Sequence, residues 1–198
     1  MNLVMILILI RGWIEKMKNN NFKFTYIVEG ECDKKLLIDL KTNIFKNRTL
    51  SQCKECNSKV SNVKNGTITI DDLKKFNNKC NCKKIVICDY DGNENNIKEI
   101  SNYSLDNKLF IFSNPKIEIV LLAIFTDKLN VTDNLENKIS RFISKNYEYK
   151  HCPDSINKIL KFLENDESKL NNWIKNLEDL NKKNISNFIE LVRLLKGE

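Results

Sequence analysis

A chain of 198 residues, 41% hydrophobic and 30% charged, is globular rather than disordered and can hold one sizeable core, or one core with a small appendage. Its formal charge of +7 is uneven: ten Lys or Arg between Lys46 and Lys84 meet only Glu55, Asp71 and Asp72, so attraction for nucleic acid is concentrated there. Seven cysteines without a convincing signal peptide point to a reducing, cytoplasmic setting, where clustered cysteines bind metal more often than they pair.

Leu3 to Ile10 is an apolar run of eight residues, far short of a membrane span, so no membrane role is expected. Residues 1–16 read as an extension outside the fold, because Met17-Lys18-Asn19-Asn20-Asn21 is a natural start. Residues 17–126 then form an α/β domain with a basic, cysteine-rich insert over 46–83. Residues 127–198 form a C-terminal helical region.

Phe22 to Val28 is aromatic and β-branched and predicts a strand that ends on Glu29-Gly30-Glu31. Leu36, Leu37, Leu40 and Ile44 then repeat at helical spacing, with Asp33 placed to cap or begin the helix. The unit is strand, glycine turn, helix.

After Phe45 the pattern breaks, and Cys53-x-x-Cys56 and Cys80-x-Cys82 appear with 23 residues between the pairs. Two close pairs at that separation fit a structural zinc ion with four cysteine ligands, which would cross-link a segment too polar to fold on its own core. Thr67 to Ile70 predicts a short strand and Asp71 to Phe76 a short helix. Cys32, Cys88 and Cys152 are expected to be unrelated reduced thiols.

Ile85-Val86-Ile87-Cys88 reads as a buried strand that stops on Asp89-Tyr90-Asp91-Gly92. In open α/β sheets ligands bind at the carboxyl ends of the strands, which favours a site there over a polar turn. A short helix around Ile97 and a strand over Leu109–Phe112 follow. Ser113-Asn114-Pro115 then predicts a helix start, with Ile117, Val120, Leu121, Ile124 and Phe125 as the buried stripe and Glu118 near its beginning.

Beyond Asp127 the spacing is helical throughout. The buried stripes expected there are Ile139, Phe142 and Ile143; Ile156, Ile159, Leu160 and Leu163; Leu170, Trp173, Ile174 and Leu177; and Ile185, Phe188, Ile189, Val192 and Leu195. His151 is the only histidine, which leaves no histidine-based triad, and there is no Walker-type phosphate loop.

Glu29 and the pair Asp89 and Asp91 end two strands of one predicted sheet, so they can converge. Three acids without histidine suit Mg²⁺, or Mn²⁺, held by a few carboxylates with waters left for a substrate phosphate. Such an ion polarises a phosphoryl oxygen while an unligated Glu handles protons, which is phosphodiester chemistry.

Val28-Glu29-Gly30-x-x-Asp33, followed by an apolar strand into Asp89-x-Asp91, resembles the two signature motifs of the Toprim superfamily of topoisomerases, primases and nucleases. Ser113-Asn114-Pro115-x-x-Glu118 with Leu121-Leu122 is similar to the RloB/AbiL-type proteins of bacterial restriction and abortive-infection loci. The resemblance covers about residues 22–126. It implies a mainly parallel sheet flanked by helices, with Glu29 as general acid or base and Asp89 and Asp91 as metal ligands. Glu118, Glu31 and Asp33 stand as further candidates. It also implies DNA or RNA as substrate and a defence-system partner such as an ATPase. Two departures stand out: Ile117 and Val120 replace the aromatic residues usual around the third motif, and the cysteine insert is not a general Toprim feature.

Two other readings compete. Asp89-Tyr90-Asp91-Gly92 is similar to the nucleophile motif of haloacid-dehalogenase-type phosphatases, although Asn93 stands where that motif carries Thr. Alternatively the acids hold an ion structurally, in a non-catalytic module that binds nucleic acid or a partner protein.

Overall fold

The computed structural model describes residues 23–47, 50–53, 67–75, 82–90, 93–105, 107–129, 134–143, 149 and 155–198. The 1–16 extension, Cys56, Cys80, Asp91, Gly92, His151, Cys152 and much of the basic insert lie outside the described residues.

Four parallel strands form one sheet: β1 (Lys23–Val28), β2 (Ser51–Gln52), β3 (Lys83–Asp89) and β4 (Lys108–Ser113), in the order β2-β1-β3-β4. Strands β1 and β3 are covered on both faces, which is why they read as continuous apolar runs rather than as alternation. Alternate side chains divide between two cores. Phe24, Tyr26, Val28, Ile85, Ile87 and Ile111 face the larger one, and Ile27, Val86 and Cys88 face the smaller. The result is an α/β fold with helices on both sides of a parallel sheet.

Helix α1 (Glu31–Asp39) follows β1 directly and buries Leu36 and Leu37 in the larger core; a π-helical turn over Leu40–Ile44 extends it. Gly30 is its N-cap, with φ −142, so the turn is extended and makes no demand for glycine's left-handed region. Asp33, at the third helical position, accepts the Gly30 N–H at 3.0 Å and so caps the helix from inside. On the other face lie α2 (Ile70–Lys75) and α3 (Glu94–Asn102), through Leu73 and Ile100. Asn93 caps α3 by accepting the Asn96 N–H at 3.1 Å.

The larger core continues into α4 (Glu118–Leu122), α5 (Leu135–Phe142), α6 (Ile156–Leu160), α7 (Glu167–Lys182) and α8 (Ile189–Lys196). Helix α4 is buried all round rather than along one stripe. Its carbonyl ends are answered from α7: Trp173 Nε1 donates to Val120 O at 3.0 Å, and Asn176 Nδ2 donates to Ala123 O at 2.9 Å. Among the described residues no helix is long and apolar enough to cross a membrane.

Five expectations are corrected. Residues 67–69 are not a strand; Thr69 and Asp72 form a reciprocal cap that starts α2, with Thr69 Oγ1 donating to Asp72 Oδ2 at 2.8 Å. Pro115 does not open a helix: the Asn114–Pro115 peptide is cis and α4 begins only at Glu118.

Ile185 is not part of a helical stripe. Residues 185–187 run along the outer edge of β4, where Ser186 bridges Ser113 in antiparallel fashion and the Asn114 N–H donates to Ile185 O at 2.9 Å. Asn187 imitates a strand there: its Oδ1 accepts the Phe112 N–H and its Nδ2 donates to Phe110 O, both at 2.8 Å. Phe142 is 46% exposed and lies flat on Phe125, 5.7 Å between ring centroids. Cys32 is disulfide-bonded rather than a free thiol, since sequence spacing carries no signal for pairs that only the fold brings together.

Candidate functional site

Strand β1 turns toward β2 on one side, and the chain then crosses to β3 on the other. The crevice between the carboxyl ends of β1 and β3 is therefore the topological switch point of the sheet, where such folds bind ligands. The register sets Val28 opposite Ile87 and Asp89 opposite Ser113. Glu29 and Asp89 consequently leave the sheet at the same edge.

Their contacts are specific. Glu29 accepts two main-chain N–H groups, that of Asp89 on Oε2 at 2.9 Å and that of Ile68 on Oε1 at 3.2 Å. Asp89 Oδ1 accepts the Ile117 N–H at 2.8 Å, which ties the end of β3 to the start of α4 and brings Glu118 in behind it. Asn96 Nδ2 donates to Ile68 O at 3.1 Å and so holds the segment that meets Glu29. Tyr149 lies against Glu118, with its hydroxyl 3.5 Å from Oε1.

Asp33 and Glu118 are buried, at 5% and 3% exposure, while Glu29 and Asp89 are half-buried. Burial pushes the Asp89 carboxyl up to about 9, helped by the negative charges of Asp33, Glu118 and Glu29 and opposed by the Ile117 N–H. Burial likewise raises Asp33 to about 7, with Glu29 and Glu118 adding to it and the Gly30 N–H working against it. The Cys88 thiol, just before Asp89, is pushed up by burial and by Glu29, Asp33 and Asp89. Glu29, Asp33, Asp89 and Glu118 thus share one electrostatic neighbourhood with an excess of negative charge.

A cluster of this kind either holds protons at neutral pH or answers its charge with a cation. Among the described residues no group of three His, Cys, Asp or Glu side chains is arranged to hold a metal ion. The donor set itself, oxygen only and rich in carboxylate, fits a hard cation such as Mg²⁺.

Of the residues singled out from the sequence, the fold gathers Glu29, Asp89, Glu118 and Asp33. Glu31 is instead exposed on α1 and pairs with Lys34 at 3.2 Å. Cys53 and Cys82 are buried and packed together, away from the carboxylates. No sequence pattern points to Tyr149 or to the Ile68 and Ile117 N–H groups, which only the tertiary fold brings to the site. Comparison with protein-family models, with curated proteins and with solved structures found no match to this chain.

Proposed function

We propose that this chain is a divalent-cation-dependent enzyme that cleaves phosphodiester bonds in DNA or RNA, as the nuclease of a bacterial anti-phage or abortive-infection system. The observation that carries the proposal is the meeting of Glu29, Asp33, Asp89 and Glu118 at the carboxyl-end switch point of a parallel sheet. The Toprim-like and RloB/AbiL-like motifs place their functional acids at Glu29, Asp89, Asp91 and Glu118, and three of these four belong to that cluster.

On this reading Asp89 and Asp91, with Glu29 beside them, would hold Mg²⁺ or Mn²⁺, and the bound ion would supply charge stabilisation at a phosphoryl oxygen. Glu29 moves a proton at the attacking or leaving oxygen. Asp33 holds the glycine turn next to Glu29 through the Gly30 N–H. Ile117 N–H fixes the Asp89 carboxylate, and Glu118, the first residue of α4, is buried away from water. Substrate phosphate approaches the half-buried Glu29 and Asp89, and the basic segment between Lys46 and Lys84 draws the polyanion in.

The test is metal-dependent turnover. Purified protein with Mg²⁺ or Mn²⁺ is given single- and double-stranded DNA and RNA, beside Glu29→Gln. Cleavage that needs the metal and falls at least about 100-fold in the variant supports the proposal. Cleavage equal in the two proteins removes Glu29 from the chemistry.

One observation favours a second reading. Both Glu29 oxygens accept main-chain N–H groups, an arrangement that would also serve a structural role. That non-catalytic binding module would bind nucleic acid in a salt-sensitive way, retain binding in Glu29→Gln, and show no turnover with any metal.

A further inference from the structure

Among the described residues Phe142 is the one large apolar side chain left exposed, at 46%. It closes α5 and lies parallel to Phe125, with 4° between the ring planes and 5.7 Å between centroids. Phe162, just beyond α6, meets the same Phe125 edge-on, 4.9 Å away at 78°. Phe125 and Phe162 are half-buried and packed against the larger core, so the outer ring rests on an anchored pair. A phenyl ring backed by a parallel neighbour and open to solvent offers a π-face on which a base can stack.

Cations flank these rings in the chain. Lys138 stands four residues before Phe142, on the same side of α5, and the exposed Arg141 directly precedes it. Lys128, after Phe125, and Lys161, before Phe162, are both exposed. Among the described residues none of these four is in an ion pair, whereas Lys98, Lys169 and Lys182 each pair with an acid one turn away. Of the acids in the same segments, Glu136 falls on another side of α5, which leaves Asp127 and Glu164 against the four cations. Uncommitted positive charge beside an aromatic face suits a single strand: the cations take phosphates and the ring takes a base of any sequence. The bases of a duplex are stacked on one another and present no such face.

We propose that Phe142, supported by Phe125 and Phe162, is a stacking platform for single-stranded DNA or RNA, with Lys138 and Arg141 holding the phosphates beside the stacked base. The inference rests on the proposed function for the polymer being a polynucleotide, and adds that the strand is unpaired. Phe125 ends the helical run that Glu118 begins, seven residues earlier, so the platform stands roughly 10 Å along that run from the acidic crevice. A strand of a few nucleotides spans both.

The test measures binding by the full-length protein in EDTA, which stops metal-dependent cleavage, with fluorescent oligothymidylate and oligouridylate of about 15 nucleotides and a duplex of the same length. At least one of the single strands should bind more tightly than the duplex, and the tighter one names the polymer. Phe142→Ala and Phe142→Leu should each weaken single-strand binding at least about fivefold, since neither offers a π-face, while Phe142→Trp keeps it and has its added indole emission quenched by the probe. Arg141→Gln should lower the salt slope by about 0.7. Binding unchanged in Phe142→Ala, or kept in Phe142→Leu, overturns the proposal. So does a parent that prefers the duplex, or a parent dimer that Phe142→Ala abolishes, which would give the ring to a second copy of the chain. Should Phe142→Ala fail to fold, Phe142→Trp decides: indole emission that the probe leaves unchanged refutes stacking. With Mg²⁺ restored, absence of cleavage beside intact Phe142-dependent binding removes the nuclease reading and leaves the platform standing.

Discussion

Glu29 Oε2 accepts the main-chain N–H of Asp89 at 2.9 Å, across sixty residues of sequence, and so locks the ends of two neighbouring parallel strands to each other. A carboxylate can accept both of its N–H donors at once, whereas an amide presents one oxygen and an NH₂ group. Glu29→Gln therefore leaves the N–H of Ile68 or of Asp89 facing another donor. The expected loss is about 1–3 kcal/mol of stability, read from urea unfolding, alongside the loss of cleavage. A variant as stable as the parent would show that these hydrogen bonds contribute little.

Asp89→Asn should behave in the opposite way. With its carboxyl raised to about 9, Asp89 is mostly protonated at pH 7 in the metal-free protein, and asparagine is close to that form in shape and charge. The variant is expected to unfold at the same temperature as the parent in Mg²⁺-free buffer, or a few degrees higher. It should lose the upward shift that Mg²⁺ gives the parent and show no turnover. Differential scanning calorimetry with and without 10-fold excess Mg²⁺ over the apparent dissociation constant, about 1.4 kcal/mol of linkage, separates the two outcomes.

The same shifts set a pH dependence. Asp89 and Asp33 lie above their ordinary value of 3.8, so the folded metal-free protein binds more protons than the unfolded chain between about pH 4 and pH 9. Unfolding then releases protons, and stability falls as pH rises through that window, with both groups contributing up to about 7, the raised value of Asp33, and Asp89 alone from there to about 9. Protein dialysed free of Mg²⁺ should therefore melt at a lower temperature at pH 8.5 than at pH 5.5. Added Mg²⁺ should narrow the difference, because it competes with those protons. A melting temperature that climbs with pH in the metal-free protein contradicts this account.

Asn187 supplies both a donor and an acceptor to the main chain of β4. Asn187→Ala removes both and leaves the Phe112 N–H and the Phe110 carbonyl without them, at a cost of about 2–4 kcal/mol. Amide exchange at Phe112 should accelerate more than exchange at Ile87, which lies within the sheet. Equal acceleration at both positions would mean that the edge opens only when the whole protein unfolds.

What the sequence made legible follows from which forces act locally. Strands β1 and β3 were readable because burial on both faces demands unbroken apolar runs, and the acids after them because polarity changes abruptly at Glu29 and Asp89. Their convergence at one edge followed from parallel strands ending together. The start of α4 was not readable: a capping-type Ser113-Asn114-Pro115 looks like a helix beginning, but the Ile117 N–H is committed to Asp89, and only the tertiary fold brings that partner near. The run along β4 was hidden for a similar reason, since Ile185 has helical spacing to Phe188 and Ile189 and nothing local distinguishes a side-chain amide that imitates a strand. Tyr149 beside Glu118 is a contact across 31 residues, with no pattern to announce it.

Helix α4 has five residues, too few to persist in water unaided. Trp173 and Asn176 hold its carbonyl end from α7, some fifty residues later in the chain. Glu118 therefore owes its position to a part of the polypeptide made some fifty residues later, so the acidic crevice is complete only once α7 has been made and docked. A chain shortened after Asp127 would carry every acid of the cluster and still be without the support that sets one of them in place.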